Sequence, residues 1–312
     1  MSKITVIGAG NVGATCADVI AHKDFVKEVV LVDIKPGVAE GKALDIWQTS
    51  SINNFDTHVV GVTDDYERTK NSDVVIITSG IPRGPGMSRD DLIKTNAGIV
   101  KTVTEKAVAA SPDAVFIVVS NPLDVMTYAA QLASGKSNQT VFGQAGILDT
   151  GRYNAFVAEA LDVSPNDVVS MLLGGHGDTM VPLPRLTTVG GVPLEKLMDK
   201  ETSDAIVQRA RVGGGEIVKL LGTSAWYAPG AAAALMAEAV ICDKKKTVPV
   251  SIRLDGEYGL KDVYLGVPVV LGKDGIEKVI ELDLTKEELA ELHKSADAVK
   301  SVMKVLDDMN LF

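Results

Sequence analysis

Runs of consecutive valine and isoleucine recur through the first half of the chain, at residues 4–7, 29–32, 58–62, 74–77 and 115–119. They are apolar at successive rather than alternate positions, the pattern of strands buried on both faces of a parallel sheet. Between them, residues 11–22, 37–49 and 88–110 carry helix-compatible patterns, with Pro112 and Pro122 marking element boundaries. This alternation predicts βαβ units with right-handed crossovers.

The pattern changes after about Gly146. A helix is expected over 149–161, strand-like runs around 168–173 and 187–189, and long helices near 203–221 and 230–242. Two β-branched runs at 247–254 and 263–271 flank Asp255-Gly256-Glu257-Tyr258-Gly259, which reads as hairpin punctuation. From Thr285 onward Leu289, Leu292, Ala296, Val299, Met303 and Leu306 recur at helical spacing and predict a terminal amphipathic helix. No internal repeat or low-complexity linker separates the halves, so two tightly joined lobes are expected.

Composition narrows the classes of partner. The chain holds 31 Lys and Arg against 41 Asp and Glu, a net charge of -10, which argues against nucleic acid or an anionic membrane surface as the main partner. The apolar stretch 230–242 is interrupted by Glu238 and is shorter than a membrane span requires. Cys16 and Cys242 sit on apolar, helix-like segments without metal-ligand spacing, so both are expected to be buried, reduced thiols, and no metal site is expected. The N-terminus runs directly into a strand without signal-peptide features; with the reduced thiols, this gives an expectation of a cytoplasmic protein.

Against this acidic background two arginines stand out in Gly80-Ile81-Pro82-Arg83-Gly84-Pro85-Gly86-Met87-Ser88-Arg89. Glycine and proline there forbid regular structure, and surface loops are where binding groups concentrate. Arg83 and Arg89 suit carboxylate recognition, although an isolated arginine pair is more often two solvated loop charges.

Gly8-Ala9-Gly10-Asn11-Val12-Gly13 follows the first strand at once and opens a helix. Gly8 would make the tight turn, Gly10 would let backbone approach a pyrophosphate, and Gly13 would allow close packing of helix on strand. Asp33 ends the second strand, where a carboxylate accepts from ribose hydroxyls and repels a 2′-phosphate. Strand, glycines, helix and acid together predict a Rossmann dinucleotide site that prefers NAD to NADP. The expected architecture is α/β: a Rossmann doubly wound parallel sheet over residues 1–145, then a C-terminal α+β substrate-binding and catalytic unit over 146–312. Asn121, at the carboxyl end of the fifth strand, is either a hydrogen-bonding group beside nicotinamide and substrate or an Asn-Pro turn residue.

Of the four histidines, His22, His58 and His293 look ordinary, whereas His176 is bared by glycines in Gly174-Gly175-His176-Gly177-Asp178. Reducing a ketone by hydride requires a proton donor that titrates in this range. Asp149 and Arg152, three apart, lie on neighbouring parts of one helix face. They would form a local ion pair, or Asp149 would stabilise a His176 imidazolium while Arg152 grips a substrate carboxylate with two hydrogen bonds.

Taken in order and spacing, these pieces make the chain resemble the NAD-dependent lactate/malate dehydrogenase family over essentially all its length, and most of all the lactate-dehydrogenase-like malate dehydrogenases within it. The resemblance implies that His176 and Asp149 form the proton relay, that Arg152 binds the C1 carboxylate, and that Arg89 polarises the reacting carbonyl as the loop closes. Asn121 would contact the substrate as well as the cofactor. The cofactor would lie on Gly8, Gly10, Asn11, Val12, Gly13, Asp33, Asn96, Val119 and Asn121. Thr223, Ser224 and Ala225 would line the substrate wall, or serve packing alone, without a catalytic role. Arg83 stands at the family's substrate discriminator, where lactate dehydrogenases carry an uncharged glutamine; it would pair with the second carboxylate of malate or oxaloacetate. Pyruvate would strand that guanidinium in a closed site at a cost of about 2–5 kcal/mol. The resemblance also implies a homo-oligomer, a tetramer or a dimer, and a place in the tricarboxylic acid cycle.

Overall fold

The apolar runs form the strands of one sheet, buried except at the edge strand His58–Thr63, where only Val59 is buried. In the computed structural model, which describes residues 2–82 and 88–312, they are β1 (Lys3–Ile7), β2 (Glu28–Asp33), β3 (His58–Thr63), β4 (Val74–Ile77), β5 (Val115–Val118) and the short β6 (Val141–Gly143). These pair in parallel in the order β3-β2-β1-β4-β5-β6. The helices between them are α1 (Asn11–Lys23), α2 (Val38–Gln48), α3 (Ser50–Asn53), α4 (Arg89–Ala110) and α5 (Leu123–Ser134). The strand order reverses at β1 and β4, and the crevice beyond their carboxyl ends is where sheets of this kind take their ligands.

The second half comprises α6 (Gly146–Leu161), five two-residue strands, three further long helices and a three-stranded antiparallel meander. The short strands are β7 (Val168–Val169), β8 (Leu172–Leu173), β9 (Val181–Pro182), β10 (Thr188–Val189) and β11 (Val192–Pro193). They are followed by α7 (Lys200–Leu221), α8 (Tyr227–Ile241), β12 (Lys246–Asp255), β13 (Lys261–Gly272), β14 (Gly275–Val279) and α9 (Lys286–Asp307). β12 joins β6 antiparallel, with Ser251 opposite Gly143, so one nine-stranded sheet runs through both halves of the chain. A hydrophobic core follows it from Ile4 and Val6 to Val267, Leu292 and Leu306, and a second cluster around Tyr153, Leu172 and Ala210 joins α6 to α7.

The doubly wound α/β architecture is as expected, with differences in detail. Residues 168–173 form two strands in separate sheets rather than one, because β7 pairs with β10 and β8 with β9. α5, β6 and β14 were not anticipated: α5 buries residues around most of its circumference, and β6 is only three residues long. Cys16 is buried as expected, whereas Cys242 is exposed, because α8 ends at Ile241 and leaves the cysteine beyond its last turn.

Candidate active site

The glycine-rich turn is shaped by what surrounds it. Gly8 turns the chain with φ +106° and donates its N–H to the Val32 carbonyl at 2.8 Å. Gly13 lies against it so closely that a Cβ would sit 1.8 Å from the Gly8 carbonyl oxygen, whereas a Cβ on Gly10 would meet nothing within 4 Å. One glycine is thus required for packing and the other leaves an approach to the helix end. Gly10 caps α1 without a side-chain partner, so the amides at Asn11, Val12 and Gly13 remain available to an anion.

Asp33 accepts from Ala9 N–H through one carboxylate oxygen at 2.7 Å and from Lys35 N–H through the other at 2.9 Å. Main chain fixes both oxygens, which keep lone pairs for a ribose diol. A cavity of about 290 Å³ opens beside them, lined by Gly8, Gly10, Asp33, Ile34, Tyr66 and Ile81 among others. Its apolar walls, acidic end and open helix N-terminus suit the adenosine and phosphates of NAD.

Asn96, expected on the cofactor, is 1% exposed; its side chain accepts from Ile81 N–H at 2.9 Å and donates to the carbonyls of Ile81 (3.2 Å) and Asn121 (2.7 Å). It clasps the loop after β4 to the turn after β5 at the rim of the crevice. Val119 is buried behind that turn, its N–H bonded to Ile77, and Asn121 is exposed at the strand's end.

The charged cluster forms in the second half. α6 brings Asp149, 2% exposed, beneath the loop between β8 and β9 that carries His176. One Asp149 oxygen meets His176 Nδ1 at 2.9 Å and the other faces Arg152 at 3.4 Å. One carboxylate thus serves both the local ion pair with Arg152 and the contact with His176. Because Nδ1 faces a carboxylate, Nε2 is the nitrogen left for a substrate. Burial alone would weaken the imidazolium, but Asp149, with a smaller contribution from Asp124, outweighs it and raises the His176 pKa above its ordinary value, Arg152 opposing.

The His176 loop is held at successive main-chain positions. Gly174 exchanges hydrogen bonds with Gly266 of β13 at 2.9 and 3.0 Å, Gly175 N–H donates to Ser295 Oγ of α9 at 2.8 Å, and His176 N–H donates to Asp124 of α5 at 2.9 Å. Asp124, Ser251 and Ser295 escaped sequence reading; an acid, two serines and no motif offer no signal until the fold brings them together.

Arg152 is 12% exposed and borders an apolar groove of about 570 Å³ between α6, α7 and α8, with Ile147, Phe156, Leu220 and Leu235 among its walls. Gly213 of α7 makes room for it, since a Cβ there would lie 2.4 Å from Arg152 Cδ. Thr223 and Ser224 are exposed between α7 and α8. Arg83 lies outside the described residues. Arg89 opens α4, whose N-terminus is fixed by a capping box between Ser88 and Asp91, and its side chain lies outside the description. The three other histidines have local partners: His22 the Asp18 carbonyl, His58 the Trp47 ring, and His293 the Tyr258 carbonyl. Among the described residues no cluster of metal-ligating side chains occurs, and no helix is long and apolar enough to cross a membrane.

Comparison with known proteins identifies the family. A malate dehydrogenase of Cytophaga hutchinsonii is 62% identical over 307 residues, covering 98% of both chains. The solved malate dehydrogenase of Salinibacter ruber superposes with a TM-score of 0.94 at 56% identity, again covering 98% of both. A lactate dehydrogenase of Cryptosporidium parvum, solved with lactic acid and nicotinamide adenine dinucleotide, has a TM-score of 0.93 at 41% identity and covers 98% of each chain. The shared backbone therefore does not by itself separate the two substrates. Residues 2–143 match the NAD-binding domain of the lactate/malate dehydrogenases and residues 147–309 their α/β C-terminal domain, so the chain belongs to the lactate/malate dehydrogenase family.

Proposed function

We propose that this chain is an NAD-dependent malate dehydrogenase that interconverts (S)-malate and oxaloacetate. The observation that carries the reading is the forked Asp149 carboxylate, with His176 on one oxygen and Arg152 on the other. Such a fork supports the reading of His176 as a proton donor beside Arg152 as a carboxylate clamp, the pair that a 2-oxo acid requires.

In the reducing direction Arg152 pairs with the C1 carboxylate and orients the substrate. Arg89 polarises the C2 carbonyl, and Arg83 takes the distal carboxylate. NADH, held by Asp33 and the α1 N-terminus, supplies the hydride. Protonated His176 gives the Nε2 proton to the developing alkoxide, and Asp149 stabilises the imidazolium before transfer and the correct tautomer after it. In oxidation neutral His176 removes the hydroxyl proton. The substrate-facing groups span residues 1–145 and 146–312, so both units are needed.

Specificity rests on Arg83. A monocarboxylate leaves it without a partner, so selection works by rejection of pyruvate as well as attraction of oxaloacetate. Similarity to malate dehydrogenases at 62% identity supports the same choice. We take the active form to be a cytoplasmic homo-oligomer, a tetramer or a dimer, working in the tricarboxylic acid cycle. The apolar groove beside Arg152 and exposed Leu220, Leu221 and Tyr227 support burial of that face by a second copy.

The test is a steady-state comparison of oxaloacetate and pyruvate with NADH and NADPH. The expected result is efficient turnover of oxaloacetate with NADH and poor use of the other three combinations. Comparable kcat/KM for the two acids would overturn the substrate assignment, and comparable use of NADPH would overturn the role of Asp33.

A further inference from the structure

Asp124 is a buried carboxylate that the mechanism above does not use. It is 6% exposed, stands in the first turn of α5, and accepts at both oxygens: from His176 N–H at 2.9 Å and from Ser251 Oγ at 2.7 Å. Ser251 is itself the residue at which β12 pairs with β6. Asp124 is therefore fixed from the central sheet and in turn fixes the main chain of the histidine. Asn121 lies three residues before it, so the turn that presents Asn121 to the crevice leads directly into the residue that holds His176.

A carboxylate is a costly way to satisfy one main-chain N–H and one hydroxyl in a buried place, where a neutral amide or a water would suffice. Among the described residues, the charged groups facing His176 are Asp149 and Arg152 from α6 and Asp124 from α5, while β12 and α9 contribute the neutral hydroxyls of Ser251 and Ser295. Asp149 divides its charge between the imidazole and Arg152. A second anion behind the ring offsets that division.

We infer that Asp124 is a positioning residue of the proton relay: it anchors the His176 main chain to the central sheet and supplies a second negative charge that favours the imidazolium. This rests on the reading of His176 as the proton donor. Asp124 touches neither substrate nor cofactor in this scheme and acts only through His176.

Asp124→Asn separates charge from shape. The amide oxygen keeps the bond from His176 N–H, and the amide N–H donates to Ser251 Oγ in place of the present bond, while the charge is lost. In the full-length protein, the pH at which kcat/KM for oxaloacetate reduction falls should move down by about 0.5–1 unit, roughly a three- to tenfold loss of proton affinity. In malate oxidation the rise should begin at correspondingly lower pH, with NADH affinity unchanged. A purely structural role would leave the profile in place. A folded, NADH-binding Asp124→Asn protein with the original profile overturns the inference, whatever its kcat. Ser251→Ala is the second variant: it retains the charge and frees the carboxylate, so kcat should fall without displacement of the profile. Should Asp124→Asn fail to fold, unchanged kcat in Ser251→Ala overturns the inference. Absence of any oxaloacetate turnover by the unmodified protein would instead overturn the functional reading beneath it.

Discussion

Gly213→Ala tests the carboxylate clamp without touching a charged group. Gly213 is buried on α7 against Arg152, and an added Cβ would stand 2.4 Å from Arg152 Cδ, 3.1 Å from Nε and 3.4 Å from Cγ. An ordinary carbon–carbon contact is about 3.6 Å, so Cδ must retreat by roughly 1.2 Å. The side chain has little freedom to absorb this, being 12% exposed and tied to Asp149 at its guanidinium. A displacement of about 1 Å in a group that orients substrate costs on the order of a hundredfold in rate, so kcat/KM for oxaloacetate should fall about ten- to a hundredfold. Most of the loss should lie in KM, because the clamp holds the substrate in ground and transition states alike. Helix propensity acts in the opposite sense: alanine is favoured over glycine by about 1 kcal/mol in a helix interior, so the variant should not show the melting loss of a damaged core. Steady-state kinetics, NADH titration and thermal melting together are the assay. A well-folded Gly213→Ala protein with native kcat/KM and native NADH affinity would refute the assignment of Arg152 as a clamp held in one place.

Other perturbations address the remaining roles. Asp149→Asn removes the charge that chiefly raises the His176 pKa, so oxaloacetate reduction should decline from a lower pH and kcat should fall on the order of ten- to a hundredfold, corresponding to about 1.5–3 kcal/mol for a charge-assisted hydrogen bond. The sign follows from the raised value: the imidazolium needed for reduction is present below the folded pKa and lost above it, so an unshifted profile would contradict the relay. His176→Asn should lower turnover by about 10²–10⁴-fold while leaving NADH binding intact, and near-native turnover would remove it as proton donor. Arg83→Gln should move the ratio of kcat/KM from oxaloacetate toward pyruvate by an amount on the order of 2–5 kcal/mol, and an unchanged ratio would remove Arg83 from specificity.

What was legible in the sequence follows from how each element is stabilised. β1, β2, β4 and β5 are buried within the sheet and so appear as apolar runs, and the glycine turn is legible because packing at Gly13 admits no side chain. The β12–β13 hairpin was announced by Asp255–Gly259, where Tyr258 adopts φ +54°. α5 was missed because the polar Asp124 and Thr127 are buried alongside Leu123, Val125, Met126, Ala129 and Ala130, so polarity does not mark its exposed side. Cys242 was misplaced because an apolar segment does not disclose where its helix stops. In the site, Asp149, Arg152 and His176 were legible through spacing and glycine context, whereas the partners of Asn96 and Asp124 depend on contacts between residues up to 127 positions apart.

The distribution of these contacts explains why the relay belongs to neither half alone. Asp149 comes from the helix that follows β6, His176 from a loop bonded to β13 and α9, and Asp124 from α5 of the first half. Their common reference is the central sheet at Gly143 and Ser251, where a parallel array gives way to an antiparallel one. The continuous sheet ties the crevice beyond β1 and β4 to the cluster around His176 without a linker between them. On the function proposed above, the proton donor would then be set before substrate arrives, and substrate choice would fall to Arg83.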